Sequence, residues 1–180
     1  MDLIEELYMR NRSLVTDDYR DSLKYINSNK IPLKYHTFPS GDVVWDSWVI
    51  PQRWDVEEAY VEFNDERIIN FHDHPLHLPS YCPPFEGTVD RGELIDHCFT
   101  HAADPEAIPF HFRYAYRPWD RDWGFCVPQS TVDTLEEGVY DVHIDTKFHD
   151  DELIVAEHHI DGRLDETVVL VAHLDHPGMA

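Results

Sequence analysis

Basic residues are scarce in this chain of 180 residues: 14 Lys and Arg stand against 36 Asp and Glu, a formal net charge of −22. Nucleic acid is not an expected partner, because binding it requires Lys and Arg to neutralise phosphates. An anionic membrane surface is disfavoured on the same ground. Long apolar runs are missing too. Nothing approaches the roughly 18–20 residues of a membrane span. The N-terminus, Met1-Asp-Leu-Ile-Glu-Glu6, is acidic where a secretory signal would be basic and then apolar, so a cytoplasmic location is the expectation. Cysteine is limited to Cys82, Cys98 and Cys126, an odd number with no C-x-x-C pair, which points to reduced and mostly buried thiols. Glycine numbers only seven. No phosphate-cradling glycine pattern is present, and no G-x-S-x-G elbow marks a serine nucleophile.

The acids are dispersed among apolar residues, and 42% of the chain is hydrophobic. That is the texture of a folded domain, not of a disordered acidic tail. Self-repulsion at this charge density destabilises a compact state unless salt screens it, so adaptation to a salt-rich, halophilic setting is expected.

Periodicity predicts an amphipathic helix over 2–12, with Leu3, Ile4, Leu7 and Tyr8 on one side. A second helix follows, capped by Thr16, with Asp17 and Asp18 at its positive end and Tyr19, Leu23 and Ile26 on one face. Pro32–Phe38 reads as a short strand. From about 42 to 128 the texture changes: all five Trp lie there, and eight of the twelve Pro fall between Pro75 and Pro128. Short apolar runs such as Ala59–Phe63, Ile68–Phe71 and Phe110–Tyr116 alternate with turn signals. This predicts a β-rich unit with one short helix starting at Asp90, where Glu93 completes a capping-box pattern. Beyond it, Ser130–Glu137 reads as a helix stopped by Gly138. Tyr140–Phe148 alternates as a strand with one wet face, Leu153–Ile160 is expected to pair back on it as a hairpin, and Val168–Ala172, apolar on both faces, suits a covered central strand. The fold class is therefore α/β: residues 1–41 and 129–180 form part of a sheet domain, and 42–128 a β-rich insertion.

The most informative chemistry follows that last run, in His173-Leu174-Asp175-His176. At a strand end, residues i and i+2 share a side. An imidazole there can ligate a metal while the carboxylate accepts its other ring N–H and fixes the tautomer, and open α/β sheets place ligands at the carboxyl ends of strands. A hydrogen-bonded histidine with no metal fits the same tripeptide. His72-Asp-His74-Pro-Leu-His77 has a metal-like spacing but falls in the Pro-rich region and reads as a surface loop. His158 and His159 fall on opposite faces of a strand. The stretch from Tyr114 through Trp119 to Trp123 and Cys126 suits either a core or a sugar- or peptide-binding surface.

Taken together, Leu7–Thr16, Phe38–Pro51, Ala59-Tyr60, Arg67–Phe71, Leu76-His77, Trp123–Cys126 and His173–Ala180 resemble the DUF4910, M28-type zinc aminopeptidase-like family with an inserted DUF2172 domain. The resemblance implies an N-terminal portion of such a peptidase, with residues 42–128 as the insert. It implies a site of two zinc ions with His173 as a metal ligand and Asp175 as its orienting carboxylate, a peptide substrate in the complete protein, and remaining ligands beyond Ala180. Many nearer relatives carry Cys where Asp175 stands, and His176 receives no role. A chain with these residues alone is expected to be a fragment, inactive, with weak zinc binding. An unpaired central strand would favour a homo-oligomer. The alternative is a non-catalytic binding or scaffold module linked to polysaccharide biosynthesis.

The charge balance generates the first prediction. The thermal midpoint should rise steadily as KCl increases from low millimolar to molar, because screening relieves the repulsion of 22 uncompensated charges. Scanning calorimetry across that series checks it, and a flat midpoint contradicts salt adaptation.

Overall fold

The computed structural model describes residues 3–177. Helix α1 (Leu3–Leu7) is shorter than the sequence pattern predicts; residue 2 lies outside the described residues. It ends where the Leu7 carbonyl accepts from the Arg10 backbone N–H at 3.2 Å and from the Arg12 guanidinium, leaving the helical ladder. Helix α2 (Asp17–Asn29) begins as predicted: the Thr16 hydroxyl accepts from the Tyr19 N–H at 3.2 Å, satisfying one of the first-turn donors.

Strands β1 (Lys34–Pro39), β2 (Val43–Val44), β3 (Trp48–Val49), β4 (Arg53–Phe63), β5 (Glu66–Asn70) and β6 (Phe85–Asp90) come next. Helix α3 (Arg91–Asp96) is capped by Asp90, whose carboxylate accepts from the Glu93 N–H at 2.9 Å. Then follow β7 (Cys98–Phe99), α4 (Arg113–Tyr116), β8 (Phe125–Cys126), α5 (Gln129–Asp133), β9 (Val139–His149) and β10 (Glu152–Glu157).

Four strands in the order β5-β4-β9-β6, all antiparallel, form the main sheet. Strand β9 supplies its centre and shows why: Tyr140, Val142, Ile144 and Thr146 alternate inward, while Asp141, His143 and Asp145 face out. The inner face carries Trp54, Ala59, Val61, Ile69 and Val89. Leu78, Tyr81, Leu94, Tyr114, Phe125 and Val132 cover it from the loops and short helices of the following segment. The sheet therefore draws strands from both sides of residue 128. On the outer face polar ladders run across the strands. Arg67 lies 3.8 Å over the Tyr60 ring, and Tyr60 stacks on His143 at 5.1 Å.

Other predicted elements differ too, and the helix expected over Ser130–Glu137 is the shorter α5. Strand β10 does not pair back on β9. Both edges of β9 are already taken by β4 and β6, so β10 turns away and pairs with β1, Lys34↔Glu157 through Pro39↔Glu152. Val168–Val171 is not a covered strand: these residues are 76–92% exposed, and no strand among the described residues runs beside them. Apolar character on both faces identifies a segment suited to burial, but a strand also needs neighbours for its backbone groups. Phe110–Tyr116 is not extended at its end; Arg113–Tyr116 coils into α4, so the segment between 42 and 128 holds two α-helices where one is expected.

The three thiols are unpaired, with Cys82 and Cys126 buried and Cys98 half-buried. Burial pushes the Cys82 and Cys98 thiols up to about 12 and raises Cys126 as well, so they pack as small apolar groups. No helix among the described residues is long and apolar enough to cross a membrane.

Trp54 concentrates several of these contacts. Its indole N–H donates to the Cys82 carbonyl at 3.0 Å, its ring stacks on Tyr81 at 5.7 Å, and its backbone N–H donates to Val15 at 3.0 Å. Trp54→Ala is expected to cost about 3–5 kcal/mol, read as a lowered denaturant midpoint in urea. Trp54→Phe should recover part of it, since the stack returns but the Cys82 carbonyl keeps only the Thr146 hydroxyl, at 2.9 Å.

Candidate functional site

The His173–His176 segment is held against the body by one buried side chain. The Arg12 guanidinium donates to the carbonyls of Leu174 (3.1 Å from Nε) and His176, on either side of Asp175, and to that of Leu7. Burial and the neighbouring Arg10 charge lower its affinity for a proton, while Asp18 opposes the effect. A guanidinium presents five fixed donors and is suited to bridging carbonyls from distant segments. Nothing in the local spacing of the sequence marks Arg12 as an anchor of this segment, because Leu174 and His176 lie more than 160 positions away.

Anchored in this way, His173 and Asp175 form the predicted pair. His173 Nδ1 lies 3.2 Å from Asp175 Oδ1. The imidazole is 87% exposed and the carboxylate 23%, so the histidine projects from a half-buried support. With Nδ1 facing the carboxylate, Nε2 has no protein partner among the described residues. A carboxylate at one ring nitrogen with the other left open is the arrangement that metal-ligating histidines use, and an unligated hydrogen-bonded histidine has the same geometry. Among the described residues, no group of three or more metal-capable side chains converges here or elsewhere. Gly178, Met179 and Ala180 of the motif lie outside the described residues.

Asp175 sits among phenols. Burial, together with the Asp175 charge, pushes Tyr19 up to about 12 and raises Tyr116 and Tyr81. These hydroxyls therefore stay protonated through the neutral range. His176 turns the other way: its ring packs 4.1 Å from Phe110, and its Nδ1 is buried without a partner among the described residues. A cleft of about 200 Å³ opens beside the pair, lined by Ser13, Ser80, Tyr81, Phe110, Phe112 and Tyr116 among others. The Ser13 and Ser80 hydroxyls meet at 2.9 Å.

The remaining candidates are engaged elsewhere. His74 Nδ1 accepts from the Leu76 N–H at 3.1 Å, and its Nε2 meets the Tyr8 hydroxyl at 3.2 Å. His77 Nδ1 bonds the Cys126 carbonyl at 2.8 Å, and its ring lies 6.4 Å from that of His74. The 72–77 segment thus ties the turn after α1 to β8. His158 bonds Pro32 and His159 pairs with Asp161, as separate contacts. The aromatic stretch divides by burial: Tyr114, Trp123 and Phe125 are buried, while Tyr116 and Trp119 face solvent. Trp123 is covered on both sides, by Phe85 at 4.3 Å and His97 at 3.8 Å.

The family model described as "Domain of unknown function (DUF2172)" matches residues 53–147, from the start of β4 into β9, the span of the main sheet. A Clostridium acetobutylicum protein named "Putative polysaccharide biosynthesis protein with aminopeptidase-like domain" is 33% identical over 178 residues, 98% of this chain and 40% of that protein. A crystal structure described as that of a "putative peptidase" from Clostridium acetobutylicum superposes with a TM-score of 0.79 at 33% identity, covering 91% of this chain and 38% of that one. The chain thus spans about 40% of the length of the curated relative it matches.

The anchoring role of Arg12 is testable. Arg12→Met removes the donor shared by three carbonyls and should cost roughly 1–3 kcal/mol. Hydrogen exchange followed by mass spectrometry should show residues 173–177 losing protection, while the β4–β9 ladder retains it at matched stability.

Proposed function

The chain belongs to the DUF2172 family, and on that premise we propose that it forms part of a zinc-dependent, aminopeptidase-like metallohydrolase acting on peptides. The carrying observation is the His173–Asp175 pair at 3.2 Å, with its imidazole exposed and its carboxylate half-buried. The reading is supported by a relative in sequence named for an aminopeptidase-like domain and by a structure of matching fold described as a peptidase.

His173 would hold the metal through Nε2, and Asp175 would fix the ring and raise its basicity. The donor set fits as far as it goes: one imidazole with its supporting carboxylate, short of the three or four ligands a zinc ion takes. In a protein of the relatives' length, further ligands and a second zinc would come from other segments. Bound zinc supplies Lewis acidity toward a peptide carbonyl. This chain's own residues supply one ligand, its orientation through Asp175, the anchoring of that segment through Arg12, and the adjoining cleft. M28-type and DUF4910 affinity, a cytoplasmic location and the absence of nucleic-acid and membrane partners belong to the same proposal.

A second reading is a non-catalytic binding module associated with polysaccharide biosynthesis, in keeping with the printed name of the first relative. One experiment separates the two. In a polypeptide of the relatives' length, release of N-terminal amino acids should be abolished by chelation and restored by zinc. His173→Ala should remove activity and metal together, and Asp175→Asn should lower metal affinity roughly 10–100-fold. Full activity in His173→Ala ends the peptidase reading for this site.

A further inference from the structure

We propose that the aromatic wall of the cleft beside His173, built by Phe110, Phe112 and Tyr116, is a selective subsite for one large apolar side chain of the substrate. This inference rests on the peptidase reading above. It assigns a specificity role to the DUF2172 segment, since all three residues lie within 53–147.

The wall is a connected set of rings. Phe110 and Phe112 lie 5.4 Å apart, Phe112 meets Tyr116 edge-on at 6.1 Å and 88°, and Trp48 stacks behind Tyr116 at 5.8 Å and 29°. Aromatic pairs at these separations hold one another's orientation, so the wall is preformed. Yet Phe112 is 52% exposed and Tyr116 45%. Contiguous apolar surface beside a polar pair marks a place where something binds. It is continuous with the candidate site, because Phe110, Phe112, Tyr116, His173, Asp175 and His176 line the same cleft.

Size and charge narrow the occupant. At about 200 Å³ the cleft lies below the roughly 300 Å³ at which drug-sized pockets begin. It lies just above the ~150 Å³ apolar cavity that accepts a benzene ring. One aromatic ring or branched aliphatic side chain fits; a longer stretch of peptide does not. No Lys or Arg lines the cleft, and Asp175 does, so an acidic side chain would meet a carboxylate and no fixed cation. A methyl group would leave the rings uncovered.

The test uses L-phenylalaninamide and L-alaninamide as probes of this 180-residue chain. Binding is followed through the Trp48 indole N–H signal by NMR. Phenylalaninamide should give a saturable shift, with affinity roughly tenfold or more above alaninamide. Phe112→Ser and Tyr116→Ser should each abolish that difference, and Tyr116→Phe should keep it. Both altered residues are surface-exposed, so an unchanged thermal midpoint confirms that the variants fold. Equal responses to the two probes, or an unchanged ratio in both serine variants, overturn the subsite. Peptidase assays in a protein of the relatives' length separate this from the broader reading. Hydrolysis without preference for phenylalanyl over alanyl substrates, unaffected by Phe112→Ser, sinks the subsite and spares the peptidase. Selective phenylalaninamide binding without any hydrolysis does the reverse.

Discussion

The carbonyl of Cys82 is the point on which the structure turns. It accepts from the Trp54 indole on β4 and from the Thr146 hydroxyl on β9, so two central strands are pinned to one loop atom inside the core. That loop covers the sheet, and its neighbour Tyr81 is stacked on Trp54 while accepting from the Val15 N–H at 3.1 Å. A buried carbonyl that lost both donors would bear the desolvation cost of an unpaired polar group. Trp54, Thr146, Tyr81 and Val15 therefore have to be placed together. The segment preceding α2 is thereby fixed to the sheet, and Arg12, three residues before Val15, inherits that fixed position.

From Arg12 the constraint passes to the candidate site. Residues 158–172 have no regular structure and little burial, yet 173–177 are docked. The difference is the guanidinium bridging Leu174 and His176. Anchoring through backbone carbonyls leaves the side chains free: the His176 ring packs on Phe110, and His173 projects outward. An exposed imidazole on a mobile tail would have little directional preference. Held by its backbone neighbours and by Asp175, it has one.

How much of this was legible in the sequence depends on how far each interaction reaches. Thr16 and Asp90 were readable as caps because a cap and its donor lie three residues apart. The alternation of Tyr140, Val142, Ile144 and Thr146 gave a strand with one wet face because the period of a strand is local. Its partners were not readable. Leu153–Ile160 looked like the returning arm of a hairpin, but the competition among β4, β6 and β10 for the edges of β9 is decided by residues 50–100 positions away. The His173–Asp175 pair could be recognised because its geometry lies within one tripeptide. Arg12 could not, and neither could the aromatic wall, whose rings meet His173 only through the fold.

The exposed run Val168–Val171 shows the same limit from the opposite side. Its composition is that of a segment suited to burial between layers, and its sequence position directly precedes the metal-ligand candidate. In the structure it stands apart from all four sheets. Local pattern specifies what a segment can tolerate; only neighbours of complementary register specify what it does. The main sheet satisfies both conditions within the 53–147 span matched by the family. The candidate site, by contrast, takes the His173–Asp175 pair from outside that span, its anchor from Arg12 at the other end of the chain, and its cleft wall from within. It is therefore a composite of three sequence regions, and this explains why a family match confined to one of them carries the fold more directly than the chemistry.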